Sequence, residues 1–117
     1  MSPEIPHLPW FDELPCSVTV CDTNYKILYL NNRSAEVNAS DGGKALLGKN
    51  LLDCHPPAAQ EKLRKVMASG RPNVYTTEKN GVRKVICQSH WKKGGKVRGL
   101  VEITFEYPLD APHFIRT

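Results

Sequence analysis

The sequence predicts an α+β fold, an antiparallel five-stranded sheet with its helices grouped on one face. Three observations predict it. From Gly70 to Tyr107 the chain reads as three strands, Arg71 to Lys79, Val82 to Trp91 and Lys96 to Tyr107, separated by Asn80-Gly81 and Lys93-Gly94-Gly95. Asn-Gly is the strongest short hairpin signal, because a type I′ turn needs positive φ at both central residues. Nearer the start, Ser17-Val18-Thr19-Val20-Cys21-Asp22, the turn Thr23-Asn24 and Lys26 to Leu30 form a first hairpin. Between the two groups lies one amphipathic helix, Ala58 to Ser69. Its apolar positions Ala59, Leu63, Val66 and Met67 fall at i, i+4, i+7 and i+8.

Taken in order, residues 1–14 form an N-terminal arm. Pro3, Pro6 and Pro9, with Pro15 just after, argue against a long helix there. Trp10, Phe11 and Leu14 are spaced to make one short amphipathic turn, which docks either on the chain's own sheet or on a second copy of the domain. After the first hairpin, Asn31-Asn32 and Ser34 supply side chains that cap a short helix running to about Asn38. Ser40 to Gly43 is a loop, and the leucines of Ala45-Leu46-Leu47-Gly48 call for burial. Pro57 suits the first turn of the longer helix, and Gly70 with Pro72 ends it. In the last strand Val101, Ile103, Phe105 and Tyr107 alternate with Glu102, Thr104 and Glu106, so the apolar row is expected to face the helices. The domain is expected over 15–107, with a tail over 108–117.

A chain of 117 residues, 40% hydrophobic, suits one domain with one core. No apolar run approaches the roughly 20 residues that cross a bilayer, and Met1-Ser2-Pro3-Glu4 lacks the basic and apolar blocks of a signal peptide, so the cytoplasm is the expected location. Cys16, Cys21, Cys54 and Cys87 are then expected as reduced thiols. The net charge of +4 gathers at the hairpins, where lysines keep strand edges apart. Only Trp91 interleaves with those charges, so nucleic-acid binding is not expected. No nucleophile elbow, phosphate-cradling glycine loop or carboxylate pair beside a histidine is present, and an enzyme is not expected.

Pro15-x-x-Val18-x-Val20-x-Asp22, Ile27-x-Tyr29-x-Asn31, Leu47-Gly48-Lys49-Asn50 and His55-Pro56 occur in an order and spacing that resemble a PAS domain over nearly the whole chain. Val74 to Gly81, Gln88-x-x-Trp91 and Pro112 to Arg116 further resemble a short bacterial subgroup, whose members stand alone or are appended to sensory and hemerythrin-like modules. The resemblance implies a sensory module acting through protein association, with a homodimer or a signalling protein as partner. Many PAS domains continue into a signalling helix. Here Pro108 and Pro112 argue against one, which favours non-covalent association.

The resemblance also implies a cavity between sheet and longer helix. Its expected lining is Leu63, Val66 and Met67 from the helix and Val85, Cys87, Val101 and Ile103 from the strands; the same residues are compatible with a filled core. His55 borders that region and is the candidate axial ligand for haem, although His-Pro also serves as a turn and cap. The cysteine motif of a flavin photosensor is absent, adjacent Cys54-His55 are poorly spaced for zinc, and neither Cys16 nor Cys21 has an evident thiolate-stabilising neighbourhood. The expected interface residues are Trp10, Phe11 and Leu14.

Overall fold

A computed structural model describes residues 9–117. The part of the predicted arm over residues 1–8 lies outside the described residues. Five strands are present, β1 (Ser17–Asp22), β2 (Ile27–Leu30), β3 (Asn73–Lys79), β4 (Val82–Lys93) and β5 (Lys96–Tyr107). They form one antiparallel sheet in the order β2-β1-β5-β4-β3. The first hairpin thus closes onto the last strand, with Val18 opposite Ile103 and Val20 opposite Val101. Asn80 and Gly81 both take positive φ, 54° and 77°, as the type I′ turn requires.

Two helices lie on one face, α1 (Asn32–Val37) and α2 (Pro57–Ser69), linked by the short 3-10 turns Ala39–Asp41, Gly43–Leu46 and Leu51–Cys54. Asn31 starts α1 as predicted. Its Oδ1 accepts from the backbone N–H of Ser34 and of Val18, and its Nδ2 donates to the carbonyls of Phe11 and Cys16. This fully buried amide ties the arm, β1 and α1 together. Pro57 opens α2 and Gly70 closes it. Leu63 and Val66 are the buried residues of its apolar stripe, packed with Cys21, Leu52 and Leu100; Met67 is partly buried against them. A second cluster, Ile27, Leu30 and Leu46, fills the space under α1 and the 3-10 turns.

At the other end of the sheet Gly99 is irreplaceable by geometry. A Cβ there would stand 1.8 Å from the Cys21 carbonyl oxygen and 2.7 Å from Trp91 Nε1, at a φ of 155°. The absent side chain lets the Trp91 indole reach across and donate to the Cys21 carbonyl at 2.9 Å.

Residues 108–117 form neither helix nor strand, and Phe114 and Ile115 are exposed. No described helix is long and apolar enough to cross a membrane.

Candidate functional site

The pleat decides what faces the helices. Residues opposite one another on neighbouring strands share a face, and the row Asn73, Gln88, Glu102, Thr19 runs across β3, β4, β5 and β1. That row faces inward. The Thr19 hydroxyl meets the Ser34 hydroxyl of α1, and His90, two residues along from Gln88, hydrogen-bonds through Nε2 to the carbonyls of Val66 at 2.8 Å and Met67 at 3.2 Å, in the last turns of α2. An imidazole N–H donating to these carbonyls fastens the helix C-terminus to the sheet.

Between sheet and helices lies a cavity of about 80 Å³. Its floor is Thr19, Cys21, Gln88, Leu100 and Glu102. Leu63 closes one side; Ser34, Asn38 and Leu46 close the other. The remaining wall includes Leu51, Cys54 and His55. Across the floor Asn73 Nδ2 donates to Gln88 Oε1 at 3.0 Å, and Gln88 Nε2 donates to Glu102 Oε2 at 2.9 Å. Gln88 is itself 8% exposed, so its amide is held in one orientation by partners on both sides.

His55 and Leu63, both expected at the cavity, line it. Val66 and Met67 do not. Val66 is in the core cluster and Met67 packs against it, further along α2. The strand residues need a larger correction. Val85, Cys87, Val101 and Ile103 lie on the opposite face of the sheet, because the pleat turns their immediate neighbours Ile86, Gln88, Leu100 and Glu102 inward. The uniformly apolar row of β5 is therefore the outer one, with Ile103 37% and Phe105 40% exposed. Glu102, Gln88, Asn73 and His90 are not among the residues the sequence points to, because their inward direction follows only from the register of β3, β4 and β5.

His55 sits at the end of the turn Leu51–Cys54, its backbone N–H bonded to Leu52 and its carbonyl accepting from Gln60 Nε2 of α2. Its Nδ1 is 2.8 Å from the Leu51 carbonyl, an acceptor, so Nδ1 carries the proton. The backbone bonds fit the turn-and-cap role. Haem does not fit the surroundings of His55: the cavity of about 80 Å³ is several times smaller than the roughly 300–1,000 Å³ of ordinary small-molecule pockets, before a macrocycle is considered.

The cysteines are free thiols. Burial, with the Asp22 and Glu102 charges adding to it and a backbone hydrogen bond at Leu100 opposing it, pushes the Cys21 thiol up to about 11. Burial and the charges of Asp41 and Asp53 also raise Cys54. Neither is a ready thiolate. Of the expected interface residues, Trp10 is exposed, Phe11 and Leu14 are half-buried, and the Trp10 and Phe11 rings stand 3.8 Å apart between centroids. Their turn is anchored to the domain: the Asp12 carbonyl accepts from the Asn32 N–H, and Asp12 Oδ1 accepts from the Tyr29 hydroxyl at 2.7 Å. Burial first and the bond to Asp12 second push the Tyr29 phenol well above its usual range.

A five-stranded antiparallel sheet roofed on one face by short helices, with a small, largely apolar cavity carrying a few polar groups between the layers, defines a class of α+β domain. The PAS fold family profile matches residues 11–104, and the chain belongs to that family. Among solved structures it is similar to a C-terminal domain from Streptococcus mutans, with 18% identity, a TM-score of 0.69 and coverage of 83% of this chain and 79% of that one. A sensory box sensor histidine kinase from Vibrio cholerae is similar at 16% identity and a TM-score of 0.60, covering 86% and 88%. VqmA of Vibrio cholerae, in a ligand and DNA complex, is similar at 20% identity and a TM-score of 0.63, covering 86% of this chain and 51% of that one. A search of curated proteins finds no match to the chain.

Proposed function

We propose that this chain is a non-catalytic sensory module that takes a small ligand in the inner-face cavity and converts occupancy into a change of protein association. The hydrogen-bonded row Asn73–Gln88–Glu102 carries this reading. It begins on β3 at the sheet edge, crosses β4 and ends in the cavity wall. A ligand that engages Glu102 acts on β5 directly and on β4 through Gln88. On the outer face of those strands, Cys87 and Ile103 lie opposite each other, one residue from Gln88 and Glu102. Occupancy that favours one arrangement of the inner row thereby biases the outer surface. VqmA, of the same fold, is described in complex with a ligand, which supports a ligand-taking role for such a cavity.

The partner surface in this proposal is the outer sheet face, where Val74, Ile103, Phe105 and Tyr107 are exposed. A homodimer is the expected assembly. Native mass spectrometry of freshly purified protein tests the ligand half. The expected result is a non-covalent adduct that disappears in Leu100→Phe, which fills the cavity from the β5 side. A mass equal to that of the sequence, with no thermal shift across a metabolite panel, favours the second reading, a ligand-free interaction module supported by the exposed apolar row.

A further inference from the structure

We propose that the cavity is built for a small ligand with a cationic, hydrogen-bond-donating head of the amidinium or ammonium class, and that the Glu102 carboxylate is its counter-charge. This rests on the cavity being the sensory site. No lysine or arginine lines the cavity, and Glu102 is the carboxylate in its wall. The ion pairs among the described residues, Arg33–Glu36, Arg64–Glu61 and Arg83–Glu78, leave Glu102 out. Among the described residues its side chain has one hydrogen bond, from Gln88 Nε2 to Oε2. Gln88 cannot turn to offer its carbonyl, because Asn73 holds Oε1.

Two other side chains of the wall add acceptors, while the Thr19 and Ser34 hydroxyls are paired with each other. Asn38 spends Nδ2 on the Ser34 carbonyl, which leaves Oδ1. His55 spends Nδ1–H on the Leu51 carbonyl, which leaves Nε2 as its remaining polar atom. The part-buried Glu102 carboxylate faces the cavity with one side-chain donor and no cation among the described residues, and an anionic ligand would add a second negative charge beside it. At about 80 Å³ the space is well below that of an ordinary small-molecule pocket, so the head group has few non-hydrogen atoms.

Acetamidinium, acetamide and acetate have one shape and carry positive, zero and negative charge. The test is a backbone-amide NMR titration of the full chain with each, in wild type and in Glu102→Gln, whose amide oxygen can still accept from Gln88. Saturable shifts at His55, Gln88, Leu100 and Glu102 with acetamidinium alone are expected. Their affinity should fall by about tenfold or more in Glu102→Gln, a loss of at least about 1.4 kcal/mol. A thermal melt of the variant establishes that it is folded. Acetamide or acetate binding as tightly at those residues, or acetamidinium binding Glu102→Gln equally well, overturns the cationic class while leaving the cavity as a ligand site. If none of the three moves a cavity residue and the native mass equals that of the sequence, the cavity reading itself falls.

Discussion

The two faces of the sheet are made from the same strands and carry opposite chemistry. Under the helices, polar residues alternate with Ile86 and Leu100, and the polar ones are partnered from strand to strand. On the outer face β5 presents Val101, Ile103, Phe105 and Tyr107, the last three substantially exposed. Hydrophobic character alone therefore does not say which side of a sheet is inside. A polar row is tolerated in the interior when cross-strand partners satisfy it, and in the proposed function the apolar outer row is the contact surface.

The largest expected effect comes at the point where the layers are joined. Asn31→Ala removes four hydrogen bonds, two to buried backbone groups of Ser34 and Val18 and two to part-buried carbonyls of Phe11 and Cys16; a loss of about 4 kcal/mol is expected, read as a lowered midpoint in urea with unchanged slope. Leu63→Ala, on the helix side, should cost about 3 kcal/mol, because Leu63 is 4% exposed and packed among Cys21, Leu52 and Leu100. Equal losses for Leu63→Ala and Ile103→Ala would erase the distinction between the faces.

Cys21 offers a pH test of the inner side. Its thiol stays protonated in the folded state up to about 11, against an ordinary value of 9.0. Above the ordinary value the unfolded chain loses this proton while the folded chain keeps it, so stability is full below about pH 9 and falls by roughly 3 kcal/mol as pH rises through the folded value. Urea melts across that window should show the fall in wild type and a smaller one in Cys21→Ala. Ile103→Ala, half open to solvent on the outer face, should cost about 1 kcal/mol or less while weakening self-association in sedimentation. Trp10→Ser should change stability by less than about 0.5 kcal/mol. If it nevertheless abolishes association, the arm is the interface and the sheet face is not.

Much of this architecture is legible in the sequence. Asn80-Gly81 fixes one hairpin through backbone conformation, Asn31 announces a cap, and the stripe Leu63, Val66 marks the buried side of α2. Local chemistry determines all three. The cavity floor is not local. Gln88 and Glu102 read as solvent-facing until the register that places Asn73, Gln88 and Glu102 in line is known, and that register spans three strands. Choosing the apolar row of β5 as the core follows from alternation alone and reverses the sheet. His90 is hidden for the same reason, since its partners, the Val66 and Met67 carbonyls, come from the helix that precedes its hairpin. His55 is legible because its role is carried by the turn in which it sits.

In the proposed function the sheet separates reception on its inner face from association on its outer one. The most direct test of this separation is a dilution series of wild-type protein followed by backbone-amide NMR. Concentration-dependent shifts should fall on Val85, Cys87, Val101, Ile103 and Phe105, with Gln88 and Glu102 as quiet neighbours. Shifts concentrated instead on α1, α2 and the cavity wall, with the outer row unchanged, would contradict it.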